Sequence, residues 1–293
     1  MELTSQFTGL HARPLVTEIT GRRAMGYAAA IGDANPRYFD DERPAGIVAP
    51  PMLAVALTWQ MAADFANYWD VKEFPVEVLT RQVHYTEVLH WYRPMCPGDK
   101  LSLAGEVAAI TPQRMGAYLV IRFDAVNQNE ERVFTEFIGG LLRDVRCTDG
   151  GRGGDLIPMP ERAPAHKHTL WQEDVHIDVL APWVYDHCAD IHFPIHSSVA
   201  FAHAVGLPGP IYQGTATLAH AVKAVLDREA QGDPARLQGV ACRFTDMVRP
   251  GEDIRIEALV REPGDGLETI HFQVLNAGGR KAVRDGAVTL RNP

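Results

Sequence analysis

Cysteine is scarce in this 293-residue chain: Cys96, Cys147, Cys188 and Cys242 stand far apart, with no C-x-x-C pair. That spacing speaks against a zinc ribbon and against a disulfide framework, so reduced, structural thiols are expected. Long apolar runs are missing as well. No window approaches the roughly 18 consecutive apolar residues of a membrane span. The opening MELTSQFTGLHARPLV lacks a charged segment followed by an apolar stretch. The chain therefore reads as cytoplasmic, with no membrane partner. Positive charge is in deficit, 28 Lys and Arg against 37 Asp and Glu, for a formal net charge of -9. Nucleic acid is not an expected partner of such a surface, although a local basic patch can still hold one phosphorylated ligand.

What is present is ample apolar material, 46% of residues, enough to bury the core of one large or two medium domains. Twelve histidines invite a metal reading, above all His192 and His196, four residues apart. Pro194 stands between them and interrupts a regular helix, and no carboxylate motif completes a ligand set, so no metal is expected.

The chain also repeats itself. WYRPMCPGDKL (91–101) can be laid on FTDMVRPGEDI (244–254), which places Pro97-Gly98-Asp99 over Pro250-Gly251-Glu252. Each triplet predicts a turn that opens a strand, and two further alternating strands follow in each half: YLVIRFDAVNQ and VFTEFIGGLL, then TIHFQVLNA and AVRDGAVTL. Asn127 and Asn276 begin the matching polar turns. Upstream, VAPPMLAVALTWQMAADF (48–65) and IYQGTATLAHAVKAVL (211–226) predict helices that are apolar all round and so enclosed by other structure. The Gly- and Pro-rich CTDGGRGGDLIPMPERAPAHKH between the halves reads as a linker. The division is a first repeat over 1–148, a linker over 149–168 and a second repeat over 169–293.

Two motifs then become specific. YAAAIGDANPRYFDDERPAGIVAPPM (27–52) and DIHFPIHSSVAFAHAVGLPGPIYQGTATLAHAV (190–222) resemble the MaoC-like dehydratase and hydratase family, whose signature is G-D-x-N-P-x-H followed by a glycine at a helix opening. The first half resembles the dehydratase domain of FAS1-type fatty acid synthases. The resemblance implies an α+β tandem double hotdog, in which each repeat is an antiparallel sheet wrapped around a central helix. It implies hydration of 2-enoyl thioesters, or dehydration of 3-hydroxyacyl thioesters, of coenzyme A or acyl carrier protein. The acyl group could be branched or dicarboxylic, as in mesaconyl-coenzyme A. The carrier is part of the substrate, and no resident cofactor is expected.

Carried onto this chain, the resemblance makes His196 the main acid/base, with Asp190 or His192 as its partner; Phe193 and Ile191 stand where the family has Asn and Asp. Gly214 takes the oxyanion role at a helix N-terminus, with Gln213 and Thr215 as further thioester contacts. Asp33, Asn35 and Tyr38 form a secondary or vestigial site in the first repeat, where Tyr38 stands in place of His. Arg243 and Arg249 read first as surface ion pairs and second as partners of a coenzyme A phosphate or an acyl carboxylate. His84, His90 and Trp91 read as core or interface before substrate contact. Two other functions are carried: a hotdog thioesterase, and a non-catalytic subunit that binds acyl thioesters. The two repeats are expected to pair within the chain as a pseudo-dimer, with a homodimer of double hotdogs, or a complex with another hotdog subunit, beyond it.

Overall fold

The computed structural model describes residues 1–70 and 72–292. In the first repeat the order is β1 (Glu2–Leu3), β2 (Leu15–Glu18), α1 (Gly21–Ala30), α2 (Pro36–Phe39), α3 (Leu53–Ala63), α4 (Phe65–Tyr68), β3 (Gln82–Trp91), β4 (Lys100–Gln113), β5 (Gly116–Val126), β6 (Arg132–Arg143) and β7 (Arg146–Cys147). The second runs β8 (Trp171–His176), α5 (Ala181–Ala189), α6 (Pro194–Ser197), α7 (Val199–Ala204), α8 (Gly214–Glu229), β9 (Leu237–Phe244), β10 (Asp253–Pro263), β11 (Leu267–Leu275) and β12 (Lys281–Arg291). Both halves join one 10-stranded sheet, β2-β4-β5-β6-β3-β9-β12-β11-β10-β8. Its two halves mirror each other about the β3–β9 pair. The repeats thus pair within the chain, antiparallel, from Thr86 opposite Arg243 to His90 opposite Gly239.

Local chemistry builds the equivalent pieces twice. The Pro-Gly turns put Gly98 at φ 93 and Gly251 at φ 80, a left-handed backbone that only glycine adopts without strain. Asn127 clamps its hairpin by accepting from the N–H groups of Asn129 and Glu131, both at 3.0 Å. Asn276 does the same with Gly278 and Arg280 at 3.1 and 3.0 Å. Such side-chain turns are what asparagine offers in place of a backbone turn.

The two apolar helical stretches become α3 and α8, both enclosed. Leu53 to Leu57 are fully buried, and Leu218, Ala221 and Val225 of α8 pack into the same core as the strands. Each such Leu or Val contributes about 1.5–3 kcal/mol by leaving water. The segment between the halves is not a free tether. Arg152 exchanges both backbone hydrogen bonds with Ile110, and Gly153 lies so close to β4 that a Cβ would stand 2.1 Å from the Ala108 carbonyl oxygen. Ile157 then covers Tyr118 on the outer face of the sheet. No helix among the described residues is long and apolar enough to cross a membrane.

Candidate active site

The second-repeat motif is a turn, not a helix. α5 stops at Ala189 because Asp190 takes the left-handed conformation, φ 58, and donates its N–H to the Asp186 carbonyl. The chain then runs extended to Pro194, which opens α6 where its missing N–H costs nothing. His192 precedes that helix and His196 lies on it, so the two do not share a helical face.

His196 is held from the α8 side. Its Nδ1 is 2.9 Å from the carbonyl oxygen of Ile211, three residues before α8. A carbonyl only accepts, so Nδ1 carries the hydrogen and Nε2 keeps a lone pair. Burial lowers the pKa of this ring, against an upward pull from the same hydrogen bond and from the charge of Asp186. The imidazole is therefore neutral at pH 7, as a base must be.

Asp186 is the residue the motif did not announce. It sits on α5, 4% exposed. One oxygen accepts from His192 Nδ1 at 2.9 Å, and the other, Oδ1, is buried without a partner. His192 Nε2 reaches Asp190 at 3.0 Å, and the hydrogen bond to Asp186 raises the pKa of His192. Asp190 in turn accepts from Gln60 of α3 at 3.2 Å. The structure thus brings Asp190 and His192 together with each other and gives neither a hydrogen bond to His196. The available signal in the sequence was the single acid inside the mostly apolar stretch APWVYDHCA.

Gly214 opens α8 with no side-chain cap. The first intrahelical acceptor bond comes from Thr217, so the amides of the first turn stay free to donate. Glycine here also serves packing, since a Cβ would stand 3.2 Å from Phe244. Gln213 is engaged elsewhere: its Nε2 donates to the Pro182 carbonyl at 2.9 Å, tying the start of α5 to the start of α8. The Thr215 hydroxyl accepts from Tyr185 at 3.2 Å, and Tyr185 meets Tyr27 of the first repeat, hydroxyl to hydroxyl, at 3.0 Å.

In the first repeat the same positions do structural work. Asp33 is 6% exposed, its pKa raised by burial, and its Oδ1 accepts the Asn35 N–H at 3.0 Å. Asn35 Nδ2 donates to the Gly232 carbonyl at 2.6 Å, clasping the loop after α8. Tyr38 is 1% exposed, and burial pushes its pKa far up, so it cannot act as a base at pH 7. The helix start is closed too. Pro50 and Pro51 have no N–H to give, and the N–H groups of Leu53 and Ala54 bond back to those two prolines at 3.0 and 3.1 Å. An oxyanion would find fewer donors there than at Gly214.

Residues 185–278 match the family model described as MaoC like domain, and residues 6–136 match that of the FAS1-like dehydratase domain region. The chain is 35% identical over 229 residues to a protein of Arabidopsis thaliana named enoyl-CoA hydratase 2, peroxisomal, covering 71% of this chain and 68% of that one. It belongs to the MaoC-like dehydratase and hydratase family.

Three further comparisons extend the likeness over nearly the full length of this MaoC-like chain. It is 26% identical over 295 residues to 3-hydroxyacyl-thioester dehydratase Y of Mycobacterium tuberculosis, covering 98% of each. A MaoC-like dehydratase from Phytophthora capsici has the same fold, with a TM-score of 0.82 at 19% identity over 98% of this chain and 97% of that one. A Mycobacterium tuberculosis protein described as having a double hotdog fold superposes with a TM-score of 0.61 at 13% identity, over 95% of this chain and 96% of that one. The α+β tandem double hotdog is therefore the fold of this chain. Arg243 of this MaoC-like protein alternates to the outer face of the sheet, opposite Thr86, and pairs with Asp285. Arg249 is exposed next to Val248, whose carbonyl receives the Tyr212 N–H at the approach to α8.

Proposed function

We propose that the protein is a hydro-lyase that adds water reversibly to 2-enoyl thioesters of coenzyme A or acyl carrier protein, with its chemistry in the second repeat. The observation that carries this reading is the state of His196, neutral, with Nε2 unprotonated, anchored by the segment that leads into the uncapped start of α8. Asp186, rather than Asp190, is the partner, because its Oδ1 is buried and unpaired.

A water held between His196 Nε2 and Asp186 Oδ1 gives a proton to the imidazole as its oxygen bonds to C3. The C2–C3 π electrons move toward the thioester carbonyl, whose oxygen gains negative charge. The free amides at the start of α8 stabilise that charge, helped by the helix dipole. The imidazolium then returns a proton to C2, so the balance is one water added and no group lost. Dehydration is the reverse. Acid–base chemistry suffices for each step, so we assign no resident cofactor; the carrier enters with the substrate. His192 and Asp190 orient Asp186, and Gln213 and Thr215 fix the helix start instead of touching the thioester.

For a dicarboxylic acyl group such as mesaconyl, a cation should face the cleft. Arg243 lies on the opposite face of the sheet with Asp285, which favours an uncharged acyl group. The test follows loss of enoyl-thioester absorbance with crotonyl-, longer enoyl- and mesaconyl-coenzyme A. His196→Ala and Asp186→Asn should each lower kcat by about 10²–10⁴, and Asp33→Ala should leave it near wild type. Turnover that survives His196→Ala and is lost on Asp33→Ala would move the chemistry to the first repeat. Thioester binding with no turnover of any substrate would leave the acyl-binding subunit.

A further inference from the structure

Beneath Gly214 lies a group of polar side chains that the hydration steps leave unused. β3 carries a bulge between His84 and Thr86 that turns Tyr85 outward against Tyr118 and points His84 inward with Glu87. The His84 ring lies 4.7 Å from that of Phe244, the side chain packed on Gly214, and stacks on Trp59 of α3 at 6.3 Å. Trp59, His84, Phe244 and Gly214 all face the interior between the two helices, yet each keeps partial exposure. They follow one another inward from the start of α8.

Behind His84 lie two carboxyl groups. Glu87 and Glu136 are both fully buried, and neither carboxyl group accepts a hydrogen bond of good geometry, although Glu87 Oε2 lies close to His84 Nε2. They face each other and become satisfied when protonated, one acid donating to the next. His84 Nε2 stands 3.1 Å from the Thr86 carbonyl oxygen and 3.1 Å from Glu87 Oε2. Because the carbonyl only accepts, Nε2 carries the hydrogen, and Nδ1 is left as an acceptor with no hydrogen bond inside the protein among the described residues. Burial lowers the pKa of this ring to about 4, so it is neutral at pH 7. A neutral imidazole acceptor backed by neutral acids suits an uncharged donor and disfavours a carboxylate.

We propose that His84 recognises a hydroxyl group on the acyl chain of the substrate, beyond the reacting C2–C3 bond. This rests on the hydratase reading above and deepens it by naming a substrate class, hydroxylated 2-enoyl thioesters. His84 is a specificity residue, Glu87 and Glu136 are positioning residues, and the bulge at Tyr85 is the backbone device that aims the ring. An acyl chain that enters along Gly214 meets Phe244 first and His84 next. Without a hydroxyl it leaves Nδ1 desolvated and unpaired, which is where the discrimination arises.

The test compares pairs of 2-enoyl-coenzyme A substrates, plain or hydroxylated at successive carbons from C4 outward, by the ratio of their kcat/KM values. Wild type should favour one hydroxylated isomer by about tenfold or more, and His84→Phe should bring that ratio to about one. His84→Leu replaces it where the larger ring does not fold. Glu87→Gln, uncharged like the protonated acid, should keep the preference. No preference for any hydroxylated chain in wild type, or a preference that survives in the His84 variants, overturns the proposal. So does its loss in a folded Glu87→Gln, which would mean an ionised pair. The same pairs prepared as saturated acyl-coenzyme A and read by calorimetry give a Kd ratio with no turnover needed. Absence of hydration and absence of hydroxyl recognition are thus separate results.

Discussion

Glu136→Gln should stabilise the protein at pH 7 and do so less and less toward pH 4.5. Glu136 on β6 is fully buried, and burial, then the charge of Glu87, pushes its pKa well above the ordinary 4.5. A folded-state pKa above the unfolded one contributes stability that is fully present below the unfolded value and is lost as pH rises. At pH 7 the unfolded chain gains from releasing the proton that the folded chain must keep. For a group that stays protonated in the folded chain up to pH 7, that gain is roughly 1.4 kcal/mol for each of about 2.5 pH units, about 3.5 kcal/mol in all. Glutamine has the same shape and no proton to hold, so the variant escapes this cost while still offering Glu87 a donor. Urea unfolding followed by circular dichroism at intervals from pH 5 to pH 8 reads the difference directly, and thermal melts at pH 7 should rise by roughly 5 °C. A variant that is less stable than wild type at pH 7, or whose advantage does not grow with pH, would show that the pair is ionised and compensated. The neutral acids assigned behind His84 would then be wrong.

Three further outcomes bear on the site. Because burial lowers the pKa of His196, the acid limb of the kcat/KM profile should fall below the ordinary histidine value of 6.5; a limb at or above 6.5 would exclude His196 as the group that titrates. Gly214→Ala should reduce kcat/KM by tenfold or more, while the contact of its Cβ with Phe244, 3.2 Å before relaxation, costs about 1 kcal/mol of stability; a change in melting temperature alone would leave the glycine with a packing role only. Asn35→Ala removes the bond to Gly232 and the cap on the Arg37 N–H, and should cost about 1–2 kcal/mol with kcat unchanged. Loss of kcat at full stability would restore a catalytic role to the first repeat.

Much of this molecule is legible along the chain because it is local. The Pro97-Gly98 and Pro250-Gly251 turns, the Asn127 and Asn276 hairpin clamps and the two all-apolar helices are each decided within a few residues. Their recurrence in the same order was enough for the duplication and the helix-in-sheet fold. His196 and Gly214 became candidates for the same reason, since each belongs to a continuous motif.

The partner proposed for His196 could not be found this way. Asp186 lies ten residues before it, and only the left-handed turn at Asp190 and the extended stretch to Pro194 bring α5 and α6 together around one buried carboxylate. Asp190, closer to the motif in register, is turned instead toward Gln60 of the other repeat. His84 read as core or interface because strand alternation alone cannot place it. One extra residue in a bulge reverses which face a strand residue takes, and that choice is made by the pairing of β3 with β6. Sequence determined the elements, through propensities and turn chemistry that act over a few residues. Tertiary structure decided which carboxyl oxygen stays unpaired, which helix start keeps free amides and which strand histidine turns inward. Burial and hydrogen-bond satisfaction set those states, and both depend on neighbours that the chain brings together only when it folds.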